Sequence, residues 1–151
     1  MDKKWNKRFR ELANLVATWS KDTTKVGCVI IGSNKKIIST GYNGFPSNVF
    51  ELDERKVSPV KYLYTSHAEE NAIIQALGRP EIHTDTCTLY LSDGLFPCAN
   101  CARLIIGSGI NSIYCNPPDK TKLQGNWKDS LKASENMLKE AWVEINYYEG
   151  E

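Results

Sequence analysis

The sequence predicts one α/β domain over residues 1–151, with a mixed sheet of five strands and helices on both faces of that sheet. Apolar residues at helical spacing alternate with β-branched runs in the order α-β-β-α-β-α-β-α-β. Strands that are separated by helices imply a mixed sheet that is covered by those helices. The chain has 151 residues, 41% of them hydrophobic, which is enough to bury a core without disulfides.

The first helix is indicated by apolar residues that recur in steps of four and three, which places them on one face of about sixteen residues. These residues are Trp5, Phe9, Leu12, Val16 and Trp19. Two β-branched runs follow at 26–31 and 36–41, and the turn-rich connection between them predicts a β-hairpin.

Residues 42–66 form a long connection that contains Gly44, Pro46 and Pro59 and shows no sustained period. Loops beyond roughly 12–15 residues are uncommon in compact domains and are usually functional or disordered. We therefore expect a folded excursion that lies near a site or a subunit contact.

The second half of the chain predicts three more helices and three more strands. Apolar spacing indicates helices over 67–77 and 98–108, each ended by a glycine-containing sequence. Strands are predicted over 86–92, 111–115 and 143–148. The last helix runs to about residue 141 and keeps the four-three spacing at Trp127, Leu131, Ser134, Leu138 and Ala141.

The charge balance excludes some classes of partner. The 19 Lys and Arg residues nearly cancel the 18 Asp and Glu residues, for a net charge of +1, so a broad surface for nucleic acid is not expected. No apolar run approaches the roughly 18–20 residues of a membrane-spanning helix, and the first residues lack the apolar stretch of a secretion signal. We expect a cytoplasmic protein with no membrane partner.

Cysteine usage points to metal binding in a reducing compartment. An odd number of cysteines in a chain that can bury its own core disfavours a disulfide framework. The five are Cys28, Cys87, Cys98, Cys101 and Cys115. Because Cys28, Cys87 and Cys115 fall in or beside predicted strands, we interpret them as small buried hydrophobic residues.

Two short motifs stand at the starts of the second and third helices: His-Ala-Glu at residues 67–69 and Pro-Cys-Ala-Asn-Cys at residues 97–101. Cys98 and Cys101 lie within one helical turn, so both sulfurs can reach one ion, and His67 supplies a third ligand. The N–H groups at a helix start favour the thiolate forms. Three protein ligands around Zn²⁺ leave the fourth position open for water, as in catalytic sites.

Zinc at such a position lowers the pKa of its bound water from about 15.7 to near 7, which produces a zinc-bound hydroxide as the nucleophile. Glu69 follows the histidine by two residues, close to the metal without being forced to bind it. A carboxylate at this place can act as a proton shuttle, protonating a ring nitrogen and then a departing amine.

Other interpretations of the cysteines stay open from the residues alone. Cys87 or Cys115 can complete a four-ligand structural zinc site. A redox pair of Cys98 and Cys101 fits the spacing, although it leaves His67 and Glu69 without a role.

The pattern H-x-E with P-C-x-x-C is the signature of zinc-dependent nucleobase deaminases. The chain resembles the cytidine deaminase superfamily from about residue 5 to residue 148, and within it the deoxycytidylate deaminase family. Four segments carry this resemblance: residues 25–30, 41–46 (Gly-Tyr-Asn-Gly-Phe-Pro), 67–73 and 97–106. The resemblance implies a cytidine deaminase-like three-layer fold and hydrolysis of dCMP to dUMP and ammonia, which feeds thymidylate synthesis.

Site residues follow from the same resemblance. His67, Cys98 and Cys101 would bind one zinc ion per chain, because residues 42–66 contain neither Cys nor His for a second site. Glu69 would be the proton shuttle. The substrate contacts would come from the Asn43 side chain to the sugar hydroxyl, from the Ala68 N–H to the base carbonyl and from the Phe96 carbonyl to the leaving amine.

The sequence leaves the phosphate ligands open. Our first candidates are Thr24 and Lys25, with Arg103 and Lys120 or Lys122 behind them, since a 5′-phosphate needs cations or helix-end N–H groups. An apolar wall for the nucleoside can come from Tyr64 and Tyr42, although a core role is equally compatible with these tyrosines.

The resemblance also implies regulation and assembly. Members are commonly homohexamers that dCTP activates and dTTP inhibits, with the effector near Gly41, Tyr42, Asn43 and Gly44. The alternatives are a deaminase of dCTP, of cytidine or cytosine, or of tRNA adenosine, and a zinc-stabilised binding module without turnover. The segment after Cys115 departs from the better-known allosteric members.

Overall fold

A five-stranded mixed sheet organises the chain, with the strand order β2-β1-β3-β4-β5. β1 is antiparallel to both β2 and β3, whereas β3, β4 and β5 are parallel. The computed structural model describes residues 2–119, 121 and 125–148. The strands are β1 (Gly27–Ile31), β2 (Ile37–Tyr42), β3 (Thr88–Leu91), β4 (Ser112–Cys115) and β5 (Glu144–Tyr147).

In the described residues, five α-helices connect and cover these strands: α1 (Lys3–Ala17), α2 (Lys61–Tyr64), α3 (Ala68–Leu77), α4 (Ala99–Ser108) and α5 (Asn126–Glu140). The predicted order of four helices and five strands is confirmed, with bounds that differ by a few residues. The short helix α2 was not predicted, because four residues are too few to show a period. Within the described residues, no helix combines the length and the apolar character that crossing a membrane requires.

The two faces of the sheet carry separate apolar layers. On one face, Phe9 and Val16 of α1 pack with Val29 and Ile31 of β1. On the other face, Cys28 and Ile30 belong to the larger core that α3, α4 and α5 complete. Successive side chains of β1 therefore point to opposite faces and contribute to both layers. The predicted three-layer arrangement with helices on both faces is confirmed.

Two tryptophans of the predicted helical stripes do not lie in the core. α1 ends at Ala17, and Trp19 beyond it is 50% exposed with its ring edge-on to Tyr42 at 6.1 Å. Trp127, at the start of α5, is 45% exposed. Both indoles sit at helix ends, where one side of the ring contacts protein and the other contacts solvent.

Gly41 lets β2 approach α3 at backbone distance. A β-carbon at this position would lie 2.3 Å from the Ala68 carbonyl oxygen and 2.5 Å from the Ala72 nitrogen. The Ser39 hydroxyl donates to the Ala72 carbonyl oxygen at 2.7 Å, so the strand also holds the helix by a hydrogen bond. This close contact fixes the start of α3, which carries His67 and Glu69.

Gly41→Ala is expected to destabilise the fold by about 1–3 kcal/mol, as overpacking against fixed backbone does, and to reduce any activity that depends on Glu69. Thermal unfolding and a turnover assay of the same preparation measure both effects. Gly107→Ala is the matched control, because a β-carbon there meets nothing within 4 Å and alanine favours a helix. Equal stability of the two variants would contradict the close-contact argument.

Candidate active site

The three predicted metal ligands come together at one end of the sheet. The Nδ1 atom of His67 lies 3.5 Å from the sulfur of Cys98 and 3.3 Å from the sulfur of Cys101. All three donor atoms lie within 4.8 Å of one another, and among the described residues they form the one group of three or more that can hold a metal ion. One imidazole and two thiolates fit zinc with a fourth position left open.

Two of the ligand residues cap the helices that they precede. His67 is the N-cap of α3 and Cys98 is the N-cap of α4. The His67 N–H donates to the Glu70 carboxylate at 3.0 Å, which holds the turn before α3. Because both helices begin at the cluster, their positive N-terminal ends favour negative charge on the sulfurs.

Helix α5 supports the cysteine loop through Ser130. The Ser130 hydroxyl accepts a hydrogen bond from the Ala99 N–H at 2.9 Å, one residue after Cys98. The sequence of α5 predicts that this helix packs on the core, but it contains no pattern that predicts the hydrogen bond between Ser130 and α4.

Hydrogen bonds among the three predicted metal ligands shift their pKa values when no metal is bound. A hydrogen bond from the Cys101 thiol, followed by contact with His67, lowers the pKa of Cys98 to about 4 against the effect of burial. The same bond and burial raise the pKa of Cys101. The bond to Cys98 raises the pKa of His67 to about 9. At neutral pH the metal-free cluster therefore holds one thiolate, one thiol and one imidazolium.

Zinc binding at neutral pH is expected to release two protons, one from His67 and one from Cys101, because the ligating forms are deprotonated. Affinity should then rise about 100-fold per pH unit between the pKa of Cys98 near 4 and that of His67 near 9, since each proton contributes tenfold per unit. Competition with a chromophoric chelator at pH 6, 7 and 8 measures this slope. A slope of tenfold or less would contradict the proton arrangement.

Glu69 lies in the first turn of α3 and is 4% exposed. Burial is the main cause that raises the pKa of Glu69, and the charge of Cys98 adds to it. A raised pKa brings a carboxyl group closer to neutral pH, where it can both take and return a proton. Glu69 therefore places a buried carboxyl group beside His67, Cys98 and Cys101.

A cavity of about 330 Å³ opens next to these residues. This volume is at the lower end of the range for small-molecule sites, about 300–1,000 Å³. Its walls include His67, Glu69 and Cys98, together with four of the predicted substrate-binding residues. Those four are Thr24, Asn43, Ala68 and Phe96.

Asn43 already bonds to the loop before β1. Its side-chain oxygen accepts from the Val26 N–H at 2.9 Å, and its side-chain nitrogen donates to the Thr24 carbonyl oxygen at 2.7 Å. This 7% exposed side chain therefore fixes the wall of the cavity. Its bond to a sugar hydroxyl stays a prediction.

Two predicted substrate residues are not brought to the cavity. The Lys25 ammonium donates to the Ser20 carbonyl oxygen. The Tyr64 ring stacks on the Phe45 ring at 5.8 Å, and the Arg55 guanidinium lies over the Tyr64 ring, 4.5 Å from its centroid. Among the further phosphate candidates, Arg103 contacts the Asn100 side chain at 3.4 Å, and positions 120 and 122 lie outside the described residues.

The cavity wall also contains residues that the sequence did not assign to a site, among them Lys61 and Tyr62 of α2 and Trp127 of α5. The rings of Tyr62 and Trp127 meet edge-to-face at 6.5 Å, which joins the long connection to the last helix. The only signal in the sequence was the length of the connection 42–66, which indicated an excursion near a site.

A second cavity of about 330 Å³ lies beside the first and shares four wall residues with it: Asp22, Asn43, Lys61 and Thr65. Of the predicted effector residues, Tyr42, Asn43 and Gly44 line this second cavity. Gly41 does not line it, because this residue packs against α3.

All five cysteines are free and buried. Burial raises the pKa of the Cys115 thiol to about 12, and neither Cys87 nor Cys115 joins the metal-binding group. The predicted role of Cys28, Cys87 and Cys115 as buried hydrophobic residues agrees with these positions.

Curated proteins provide similar sequences. The chain is 40% identical over 149 residues to an uncharacterized deaminase in the luxG 3′ region of Aliivibrio fischeri, covering 97% of this chain and 95% of that one. It is 37% identical over 145 residues to a probable deoxycytidylate deaminase of Caenorhabditis elegans, covering 93% and 68%. It is also 37% identical over 116 residues to the human deoxycytidylate deaminase, covering 72% and 62%.

Solved structures share the fold. The dCMP deaminase of cyanophage S-TIM5, in complex with dCMP and dUMP, aligns with a TM-score of 0.74 at 23% identity and covers 98% of this chain and 99% of that one. A tRNA:A34 deaminase aligns with a TM-score of 0.58 at 22% identity, covering 95% and 92%. These likenesses support the fold.

A family model described as the cytidine and deoxycytidylate deaminase zinc-binding region matches residues 3–116. The match includes the three predicted zinc ligands and Glu69, and it confirms both the resemblance and zinc as the cofactor. The chain belongs to the zinc-binding family of cytidine and deoxycytidylate deaminases.

Proposed function

We propose that the protein deaminates dCMP hydrolytically to dUMP and ammonia. The observation that carries this proposal is that His67 and Cys98 of the metal-ligand group and the buried Glu69 line one cavity of about 330 Å³. Two relatives at 37% identity favour dCMP among possible substrates by their names: the human deoxycytidylate deaminase and the probable deoxycytidylate deaminase of C. elegans. The product, dUMP, would feed thymidylate synthesis.

The first chemical step needs a proton acceptor beside the attacking water. When bound by His67, Cys98 and Cys101, zinc supplies Lewis acidity that makes water a stronger nucleophile. The Glu69 carboxylate takes a proton from the water that attacks C4 of the cytosine. Glu69 then gives this proton to ring nitrogen N3, which removes the charge that develops on the ring.

The second step breaks the bond between C4 and the exocyclic nitrogen. Glu69 takes the remaining proton of the added hydroxyl group and delivers it to the amino group, which leaves as ammonia while the C4 carbonyl of dUMP forms. Burial raises the pKa of Glu69 and so favours the protonated form that this transfer needs. One carboxyl group therefore acts in both steps.

Main-chain groups at the starts of the two helices would orient the base. The Ala68 N–H belongs to the first turn of α3, where N–H groups have no partner inside the helix. It would donate to the base carbonyl, and the Phe96 carbonyl would accept from the leaving amine. The Asn43 side chain would contact the sugar hydroxyl. All three residues line the cavity.

The first experiment is ammonia release by the purified, zinc-loaded protein with dCMP, dCTP, deoxycytidine, CMP and cytosine in parallel. The Glu69→Gln protein serves as the blank, because it keeps the shape of the site. A clear preference for dCMP supports the proposal. If the zinc-bound protein releases ammonia from none of the five compounds, the proposal is overturned. That result would favour another amine-bearing base as the substrate, or a binding module without turnover.

Regulation and assembly form a separate part of the proposal. Binding of dCTP or dTTP in the second cavity would reach the catalytic cavity through the four wall residues that the two share. Saturation curves for dCMP that do not change with either nucleotide would overturn this part. Light scattering coupled to gel filtration tests the proposed homo-oligomer, for which a hexamer is favoured.

A further inference from the structure

Among the Lys and Arg residues that the structure describes, Lys61 alone lines the catalytic cavity. It is the first residue of α2. Its ammonium lies 3.1 Å from the Oδ1 atom of Asp22, and the two side chains are only 14% and 15% exposed. This pair is thus shielded from the solvent that weakens most surface ion pairs.

The contacts of Asp22 hold the Lys61 side chain in one place. Burial disfavours the charged carboxylate, but hydrogen bonds from the Thr24 N–H, at 3.0 Å, and from Lys61 lower the pKa of Asp22 overall. An ammonium group carries three N–H donors, and the contact with Asp22 uses one of them. A ligand in the cavity can therefore bind the same ammonium without breaking the pair.

The pair lies in the wall that the two cavities share. Asp22, Lys61 and Thr65 line both cavities. His67, Glu69 and Cys98 line only the first. A nucleotide whose base reaches Glu69 would extend its sugar and phosphate toward this shared wall.

A hydroxyl group without a partner lies on the same wall. The Thr65 side-chain oxygen is buried and has no hydrogen-bond partner among the described residues. Thr65 ends the turn that Lys61 begins, since its N–H donates to the Lys61 carbonyl oxygen at 2.9 Å. An anion with several acceptor oxygens would satisfy both the hydroxyl and the ammonium.

We propose that Lys61 binds the 5′-phosphate of the substrate, with Thr65 beside it, and that this contact makes the site prefer a nucleoside monophosphate to the nucleoside. The inference rests on the proposed deaminase function and assigns the residue that binds the phosphate. It replaces Lys25, which donates to the Ser20 carbonyl oxygen instead. Asp22 orients the ammonium before the substrate binds.

The test compares kcat/KM for dCMP with kcat/KM for deoxycytidine in several variants. Lys61→Met keeps the length of the side chain and removes the charge. The ratio should fall about 10–100-fold, the effect of losing one hydrogen bond to a charged group. Lys61→Arg should recover part of the ratio. A ratio in Lys61→Met within twofold of the wild-type value would overturn the inference.

Two further variants separate the ammonium from the ion pair. Asp22→Asn breaks the pair but keeps an oxygen for the Thr24 N–H, and it should lower the preference for dCMP less than Lys61→Met does. If Asp22→Asn loses the preference as fully as Lys61→Met, the effect comes from the local structure and the inference fails. Lys139→Met is the matched control, because Lys139 also pairs with a carboxylate, Glu135 at 2.8 Å, but does not line the cavity.

A binding measurement keeps the inference testable without turnover. Calorimetry with dCMP on the Glu69→Gln protein, with and without Lys61→Met, should show at least a tenfold loss of affinity. Unchanged affinity would overturn the inference. If the wild-type protein releases no ammonia but the affinity loss is observed, the proposed function fails and the phosphate assignment stands. Lys61→Met leaves the Asp22 carboxylate without its ion-pair partner. If this single variant does not fold, the double variant with Asp22→Asn removes both charges of the pair and takes its place in the test.

Discussion

Glu69→Gln is expected to reduce kcat for deamination by about 10²–10⁴-fold, the range that a positioned proton-transfer group contributes. Glutamine has nearly the same shape as glutamate but cannot take the proton of the attacking water. Because Glu69 is not one of the three residues that group as metal ligands, the zinc content should stay at one ion per chain.

The measurement pairs steady-state ammonia release with metal analysis of the same sample. Glu70→Gln is a suitable control, since Glu70 is the neighbouring carboxylate and accepts a hydrogen bond from the His67 N–H rather than lining the cavity. Glutamine can still accept that bond. Retention of more than a tenth of the wild-type activity in Glu69→Gln would contradict the role of Glu69 as the proton shuttle.

Cys101→Ala is expected to lose zinc and, with it, all deaminase activity. The variant leaves one sulfur and one imidazole, whereas zinc sites in proteins require three or four protein ligands. Cys101 is fully buried, so no water or neighbouring side chain replaces its sulfur easily. Metal analysis after dialysis against a weak chelator measures the loss.

Cys115→Ala is the control for Cys101→Ala. Cys115 is as buried as Cys101 and sits at the end of β4, but it does not belong to the group of residues that can hold a metal ion. The variant should keep zinc and turnover while losing some stability. Zinc loss from Cys115→Ala, or zinc retention in Cys101→Ala, would contradict the ligand assignment.

The fold could be predicted from local patterns because most elements express their period in sequence. The strand Gly27–Ile31 and the helix Ala68–Leu77 both lie close to the predicted ranges. The exception is α2, whose four residues give no period. Its position depends on tertiary contacts such as the ring pair of Tyr62 and Trp127.

The site residues, too, divide into those that a local sequence pattern predicts and those that tertiary contacts place. His67, Glu69, Cys98 and Cys101 were predictable, because their spacing within two short motifs is itself the chemical requirement. The phosphate-binding lysine was not, because sequence proximity to a strand favoured Lys25. Which lysine reaches the cavity is decided by how the connection 42–66 folds back, and no local pattern encodes that path.

The capping positions of the metal ligands also have a topological consequence. His67 and Cys98 are 31 positions apart, so a metal ion bound to both closes a loop that contains α3 and β3. Such a cross-link restricts the unfolded chain as a disulfide does, and it acts on this loop alone. Helix α1 lies outside the loop in sequence, but Tyr90 of β3 joins the loop to the layer of Phe9 and Val16 on the opposite face. Loss of the ion would therefore lower the stability of both layers, because the loop contributes side chains to each of them.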